Sequence, residues 1–171
     1  MERSPLSDAA RRRVLAATHQ AMRRAERHWR LRLPEVAVHF DLSGGRAGTY
    51  QVRTGVRLLR FNPWLFSRHL ERCLAEVVPH EVAHLVVDCR WGRGVRPHGP
   101  EWQAVMASLG APARTTHDLP LEGVPVRRER RVPYRCACRI HQLSARRHHW
   151  AQRRGARYRC RECGALLEWL R

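Results

Sequence analysis

One short segment near the middle of the chain combines two histidines and a glutamate at a spacing suited to metal chemistry. His80 and His84 are four residues apart, and Glu81 directly follows the first of them. Residues four apart lie on one face of an α-helix, so both imidazoles can reach the same ion. Glu81 lies one step round the helix, where it can hold a water molecule without ligating the metal. The His-Glu-x-x-His pattern therefore predicts a catalytic zinc site.

The surroundings of this segment favour a buried helix. Pro79 suits the first turn of a helix, because a missing N–H is harmless there. Burying two histidines and a glutamate without partners would cost free energy, and a zinc ion removes that cost. The residues that make this helix apolar are Val78, Val82, Ala83, Leu85, Val86 and Val87.

A catalytic zinc site that keeps one position open for water needs a third protein ligand. His98 is the leading candidate, because it follows a glycine-containing loop and lies at the start of the next predicted helix. Glu101, one turn further on, and His117 are the alternatives. If Asp88 lies one turn beyond His84 on the same face, it can orient that imidazole; a surface or capping role is the other interpretation.

The C-terminal region carries a second group of metal-binding residue types, in two close pairs: Cys136, Cys138, Cys160 and Cys163. Gly164 follows the second pair and permits the tight turn of a zinc knuckle. The first pair is more closely spaced than in ordinary zinc ribbons. A four-thiolate structural zinc site is the preferred interpretation, and His141 is an alternative ligand.

The distribution of charge indicates a polyanion as a partner. The chain has 33 basic residues, all arginine, and 15 acidic ones. Residues 1–33 carry 9 arginines against 3 acids and residues 127–171 carry 14 against 3, whereas residues 34–126 carry 10 against 9. Two basic ends around a neutral middle favour a nucleic-acid surface over a merely solvated charge excess.

Within the C-terminal region, arginines can bridge phosphates and a tryptophan can stack on unpaired bases. The segment 146–150 is expected in a central hairpin of this region. The alternative is a solvated basic face with a core tryptophan. The predicted nucleic-acid contacts are Arg146, Arg147, Trp150, Arg153 and Arg154.

The predicted elements give an α+β protein with an N-terminal helix and a three-stranded antiparallel sheet. The expected helices cover residues 7–30, 64–77, 79–90 and 100–109, and the expected strands are Val36–Phe40, Thr49–Arg53 and Val56–Phe61. The predicted organisation is a catalytic domain at residues 1–115, a linker at 116–133 and a basic cysteine module at 134–171.

Several of these motifs together resemble the SprT-like family of metallopeptidases, over about residues 7–167. The segments that carry the resemblance are Val78–Leu85, Pro97–Trp102, Gly48–Tyr50, Arg60–Pro63, Thr116-His117, Tyr134–Cys138 and Tyr158–Gly164. The resemblance implies a small zincin-like core followed by a zinc-ribbon-like module. It also implies zinc on His80, His84 and His98, with Glu81 as the catalytic base.

The family pattern does not identify the group that stabilises the oxyanion, and Tyr50, Arg96 and His117 are the candidates. The resemblance implies a protease linked to DNA, so protein substrates and DNA are the expected partners, with one catalytic and one structural zinc as cofactors. Neither a secretory signal nor a membrane-spanning segment is recognisable, so a location in the cytoplasm, either free or associated with the nucleoid, is expected.

The leading hypothesis is thus a zinc endopeptidase that cleaves DNA-bound or DNA-crosslinked proteins. The alternative is a non-catalytic, zinc-containing nucleic-acid-binding protein that acts in stress response or transcription. The number of bound zinc ions distinguishes the two hypotheses, because a zinc confined to the cysteine module would favour the alternative.

Overall fold

The computed structural model describes residues 5–92, 94–126 and 130–170. The chain divides into two compact units, Met1–Val126 and Arg127–Arg171. Each unit combines helices with a small sheet, which confirms the predicted α+β class. Within the described residues, no helix is both long enough and apolar enough to cross a membrane.

The N-terminal helix α1 covers Asp8–Trp29, close to the predicted range. Ser7 caps it by accepting a hydrogen bond from the backbone N–H of Ala10 at 3.2 Å. This satisfies one of the free donors at the start of a helix. Arg30 ends the helix in the left-handed conformation, with its N–H bonded to the carbonyl of Glu26.

The sheet of the first unit contains β1 (Ala37–His39), β2 (Gly48–Arg53) and β3 (Val56–Phe61). The predicted hairpin of β2 and β3 is present, and both of its turn residues, Thr54 and Gly55, have positive φ angles of 45° and 82°. Positive values at both positions are typical of a type I′ turn.

The prediction of a wholly antiparallel sheet is wrong, because the sheet is mixed. The strand order is β1-β3-β2, and β1 runs parallel to β3. The chain reverses direction once between β1 and β2 and again at the hairpin, so β1 and β3 point the same way. The pairing becomes parallel because β1 joins the β3 edge instead of its neighbour in sequence. This leaves β1 and β2 as the two edge strands.

The helices after the sheet are divided differently from the prediction. They are α2 (Pro63–Arg68), α3 (Leu70–Arg72), a π-helical turn (Cys73–Val77) and α4 (Val78–Trp91). The break falls at His69, whose φ of −131° and ψ of 38° are not helical. From Leu70 onward the helical segments follow one another without a break.

Pro79 explains the π-helical turn. Proline has no N–H to donate, and in a regular α-helix its ring would collide with the carbonyl four residues earlier. In the π turn the N–H of Val78 instead bonds to the carbonyl of Cys73, five residues before it. The wider turn lets the helix continue through the proline and into the His-Glu-x-x-His segment.

The core of the first unit forms around α4, which contacts α1, α5 (Pro100–Ser108) and strands β2 and β3. Its largest fully buried side chains include Trp102, Phe61, Phe66, Leu59 and Met106. Leu119 and Val124, within the range predicted as a linker, are also buried in this core. Residues 127–129 of that predicted linker lie outside the described residues.

The second unit is a smaller sheet with one helix. It contains β4 (Arg131–Arg135), β5 (Ile140–Ser144), α6 (Ala145–Arg154) and β6 (Glu168–Trp169), and β4 is the central, antiparallel strand. Its buried core consists of Val132, Tyr134 and Leu143.

The segment 146–150 is helical, so its predicted position in a hairpin is wrong. Ser144 accepts a hydrogen bond from the backbone N–H of Arg147 and caps the start of α6. Gly155 ends the helix in the left-handed conformation, with φ of 65°. A serine cap followed eleven residues later by a left-handed glycine is a helix signal that outweighs the expected turn.

Candidate metal centres

Three imidazole nitrogens converge at the start of α4 and the loop before α5. Nε2 of His84 lies 3.2 Å from Nε2 of His80 and 3.1 Å from Nε2 of His98. The remaining side of this triangle, from His98 to His80, is 3.2 Å. The structure therefore brings the leading third-ligand candidate to the helical pair.

This triangle fits a tetrahedral metal ion. Zinc bound about 2.0–2.1 Å from three histidines in tetrahedral geometry holds their nitrogens about 3.3 Å apart. Neutral imidazoles cannot all hydrogen-bond to one another around a triangle, because at least one pair must face lone pair to lone pair or N–H to N–H. A cation that accepts all three lone pairs removes this conflict, so the residues present could hold zinc.

The electrostatics of the site keep the imidazoles in the form that binds metals. Burial, together with the neighbouring histidines, lowers the pKa of His80 to about 4 and that of His84 to about 3. Burial also lowers the pKa of His98. All three rings are thus neutral at neutral pH, and a neutral imidazole has a lone pair to donate.

His98 reaches the other two histidines from an unusual backbone conformation. Its φ of 57° lies in the left-handed region, which is rare for a residue with a side chain. Gly99 stabilises the turn by donating its N–H to the carbonyl of Arg96 at 2.9 Å. A side chain at Gly99 would approach that same carbonyl to 2.9 Å, so the turn requires glycine there. Left-handed residues of this kind often occur at ligand-binding positions.

Trp102 packs behind all three imidazoles, a role that the sequence analysis did not anticipate. Its ring centroid lies 4.8 Å from that of His80, 5.8 Å from His84 and 4.7 Å from His98. Only 1% of its surface is exposed, and its indole N–H donates to the carbonyl of His80 at 3.4 Å. A tryptophan in the first turn of a helix, four residues after a candidate ligand, was the available signal.

Glu81 is buried beside β2, with 5% of its surface exposed. Gly48 makes this arrangement possible, because a Cβ there would lie 2.7 Å from both Cγ and Oε1 of Glu81. Burial raises the pKa of Glu81 to about 8, while the backbone N–H of Tyr50 and the charge of Arg46 act to lower it. Burial therefore favours the protonated carboxyl group, and a cation held by the adjacent histidines would favour the carboxylate.

Cavities lie on both sides of the histidines. The larger, of about 680 Å³, is bordered by His80, Glu81 and His98 and by the segments 45–48 and 114–117. The smaller, of about 330 Å³, is bordered by His84, His98 and residues 50–52 of β2. Outer strand β2 therefore borders both cavities, next to the candidate metal ligands.

The far wall of the larger cavity is held in place by several polar contacts. His117 contacts the carbonyl of Gly45 through Nε2 at 2.8 Å, and its Nδ1 accepts from the N–H of Leu119 at 3.3 Å. Arg68 donates to the carbonyl of Glu122 at 2.8 Å. His117 is thus engaged in holding this wall and is not among the three histidines that converge.

The oxyanion candidates occupy different places. Tyr50 and Arg96 border the smaller cavity, and His117 borders the larger one. The Tyr50 hydroxyl donates to Oδ2 of Asp88 at 2.7 Å, and Nε of Arg57 donates to the same oxygen at 3.0 Å. Burial and this bond to Asp88 raise the pKa of Tyr50. The suggestion that Asp88 orients His84 stays a prediction.

The four cysteines of the second unit form the other candidate centre. Their sulfur atoms all lie within 4.8 Å of one another, with Cys136 and Cys138 3.4 Å apart and Cys138 and Cys160 3.7 Å apart. Cys163 completes the group. About 3.7–3.8 Å separates the sulfurs of a tetrahedral four-thiolate zinc site with Zn–S near 2.3 Å, so this cluster also fits zinc.

His141 lies against this cluster, with Nε2 3.2 Å from the sulfur of Cys136. Burial acts to raise the pKa of the Cys136 thiol, but hydrogen bonds from the Cys138 backbone and from His141 lower it to about 5. The pKa of Cys138 rises to about 12, chiefly because of its contact with Cys136. The Cys136 thiolate thus suppresses ionisation of the Cys138 thiol, and a bound cation would stabilise both thiolates.

The arginines predicted to contact nucleic acid all lie on α6, which has no buried residue. The guanidinium of Arg146 lies over the ring of Trp150, 4.3 Å from its centroid, and that of Arg147 lies over Tyr158 at 5.8 Å. Arg153 and Arg154 are exposed in the last turn. The helix therefore presents cations and one partly covered aromatic ring on its surface.

Comparison with known proteins identifies the relatives of this chain. The sequence profile of the SprT-like family matches residues 16–128. Protein SprT of Erwinia tasmaniensis is 43% identical over 169 residues, which cover 97% of this chain and 94% of that protein. Protein SprT of Serratia proteamaculans is 35% identical, over 98% of this chain and 96% of that protein. No solved structure matches at a significant level. The chain therefore belongs to the SprT-like family.

Proposed function

We propose that this protein is a zinc-dependent metallopeptidase, an endopeptidase with a zincin-like first unit and a zinc-ribbon-like second unit. The observation that carries the proposal is the triangle of His80, His84 and His98 with the buried carboxyl group of Glu81 beside it. A zinc site that serves structure alone has no need for an adjacent carboxyl group that borders a cavity.

The three histidines would hold the zinc ion and leave its fourth position open. Zinc bound there would acidify a water molecule and polarise a substrate carbonyl. Glu81 would accept a proton from the attacking water and pass it to the amine nitrogen of the leaving group. Trp102 would hold the rings of the ligands in place, and the cradle at Gly48 would hold the carboxyl group of Glu81.

Strand β2 supports a mode of binding for an extended peptide. It is an edge strand of the sheet and passes both cavities, from Gly48 at the larger to Val52 at the smaller. An extended substrate can pair its backbone with such a strand, and its side chains then alternate between the cavities and solvent. A substrate bound in this way would have one of its peptide bonds beside Glu81.

The variant Glu81→Gln tests the catalytic proposal. Glutamine has the same size but cannot accept a proton, so hydrolysis of an unfolded protein substrate should fall by at least about 100-fold. The zinc content of the protein should stay unchanged. Undiminished proteolysis in the variant would refute the assigned role. Proteolysis absent from both proteins, with zinc confined to the cysteines, would support the non-catalytic alternative instead.

We propose further that the protein acts on proteins that are bound or crosslinked to DNA. The exposed arginines of α6 support this, because they combine cations for phosphates with Trp150 for stacking on bases. The sequence and the cavities favour no single protein substrate, so DNA would supply the selection by concentrating substrate and enzyme together.

The test compares cleavage of a DNA-binding protein with and without its DNA, using the wild-type chain and Glu81→Gln. Faster cleavage with DNA present, absent from the Glu81→Gln protein, is the expected result. The enhancement should decline as salt increases, because contacts with phosphates release counterions. Equal cleavage with and without DNA at every salt concentration would contradict this part of the proposal.

A further inference from the structure

Helix α1 presents an exposed, basic face that the metal centres do not use. Positions 12, 19 and 23 are separated by seven and eleven residues from the first, so they align within about 20° on an α-helix, and position 27 lies about 60° away. Arg30 follows directly after the last helical residue. All five are exposed. We call these residues the α1 arginine face: Arg12, His19, Arg23, Arg27 and Arg30.

The arginines of this face differ from two of their neighbours on the same helix. Arg13 is paired with Glu71 through two hydrogen bonds of 2.7 and 2.9 Å, and Arg11 lies over the ring of Phe40. Within the described part of the chain, the four arginines of the face form no ion pair. Their positive charges therefore stay available to a partner.

Beyond its first turn, α1 has no exposed acidic residue that would neutralise the positive charge of this face. Glu26 is the only acid there, and it is half-buried and accepts the backbone N–H of Leu33 at 2.9 Å. The face runs from Arg12 to Arg30, about 27 Å at 1.5 Å per residue. That length corresponds to about eight base pairs of duplex DNA at 3.4 Å each.

The chemistry of the face favours nucleic acid over a protein partner. Interfaces between proteins have an apolar or aromatic centre and few charges there, whereas Ala16 is the one apolar residue in this exposed row. Guanidinium groups bind phosphates with two parallel hydrogen bonds. We infer that the α1 arginine face binds the phosphate backbone of a nucleic acid, independently of base sequence.

This inference shares with the proposed function the expectation that the protein binds nucleic acid, but it assigns a separate surface on the first unit. It requires neither peptidase activity nor α6. The two surfaces together would account for the basic residues at both ends of the sequence.

The test measures binding of the full-length, zinc-loaded chain to a labelled 30-base-pair duplex of mixed sequence, by fluorescence anisotropy from 50 to 200 mM salt. Each phosphate contact contributes about 0.9 to the slope of log K against log salt. The double variant Arg23/Arg27→Gln should therefore reduce the slope by about 1.8, and the quadruple variant, with Arg12 and Arg30 also changed, by about 3.6.

The matched control is Arg13/Arg53→Gln, which removes the same charge from positions outside the face. It should leave the slope close to that of the wild type. Glutamine keeps the helix propensity of arginine, so circular dichroism should show an unchanged helix content in every variant. A wild-type slope for both the double and the quadruple variants would overturn the inference, as would an equal reduction in the control.

A variant of α6, Arg146/Arg147/Arg153/Arg154→Gln, separates the two proposals. If it alone reduces the slope, the α1 arginine face is not a nucleic-acid surface and the role of α6 stands. If only the α1 variants reduce it, the inference stands and the assignment of α6 fails. Variants of α1 that lose binding to poly-glutamate but not to DNA would show an acidic protein partner and overturn the inference.

Discussion

The two candidate metal centres are held by units that differ in how much apolar surface they bury. Among the described residues, the histidine site borders a core of twenty-one buried residues, whereas the cysteine cluster has a core of three. The histidines sit on or beside α4, which is packed on several sides. The cysteines sit in turns next to a sheet with little to bury.

This difference indicates two uses for a metal ion. A large core can fold without help, so a metal bound beside it would be free to serve chemistry and to exchange ligands with water and substrate. A unit of about 45 residues whose described core has three side chains cannot stabilise itself by burial, so a metal bound there would have to contribute the free energy of folding. Four predictions test this contrast, from the largest expected effect to the smallest.

Removal of metal should unfold one unit and spare the other. Structural zinc contributes about 10–16 kcal/mol of binding free energy, and the second unit has no comparable substitute. With a strong chelator, amide hydrogens of β4 and β5 should lose their protection from exchange, measured by mass spectrometry, while those of α1 and α4 keep theirs. Added zinc should restore protection. Equal loss of protection in both units would remove the distinction.

The variant Gly48→Ala should impair chemistry in the first unit without affecting either metal. The added methyl group would lie 2.7 Å from Glu81 Cγ and 2.9 Å from Val77 Cγ1, so the carboxyl group must move. A displacement of about 1 Å can reduce turnover by about 100-fold, and such a loss should appear in a peptidase assay with zinc content unchanged. In the control Gly45→Ala, the methyl group meets only Leu121, at 3.4 Å, and activity should persist. Full activity of Gly48→Ala would show that the carboxyl group tolerates displacement.

The variant Asn62→Ala should destabilise the first unit whether or not metal is bound. The fully buried Asn62 donates to the carbonyls of Gly44 and Arg46 at 2.8 and 3.0 Å and accepts the N–H of Trp64. Loss of these bonds should lower the free energy of unfolding by about 2–3 kcal/mol, measured by urea denaturation. Asn62→Asp keeps the acceptor for Trp64 but places a buried carboxylate oxygen against both carbonyls, so it should destabilise the unit at least as much. A loss seen only without zinc would tie this unit's stability to its metal.

The variant His141→Gln should have the smallest effect, a loss of about tenfold in zinc affinity at the cysteine cluster. His141 contacts Cys136, and residues that hydrogen-bond to metal ligands typically contribute 10–100-fold to affinity. X-ray absorption should show four sulfur ligands in both the wild type and the variant. One nitrogen and three sulfur ligands in the wild type would identify His141 as a ligand in place of a cysteine.

Local patterns in the sequence predicted the elements that depend on interactions between residues close in sequence. The β2–β3 hairpin follows from alternation around Thr54-Gly55, and the face shared by His80 and His84 follows from their spacing. The parallel pairing of β1 and the packing of Trp102 behind the histidines depend on contacts distant in sequence, which no periodicity reveals. Pro79 is the stronger local signal for a helix boundary, so the prediction placed the boundary there and missed the break at His69. The π-helical turn removes the clash that Pro79 would cause, and the helix continues through it.

The π-helical turn at Cys73–Val77 makes the length of this segment critical. Each residue of an α-helix advances the chain by about 100° around the axis. If one residue were deleted from the turn, an ordinary α-helical turn could close, and α4 would rotate by about that angle relative to α3. His80 and Glu81 would then no longer face β2. Among relatives, insertions and deletions should therefore be tolerated in the loops before α2 and after α4, but not between His69 and His80.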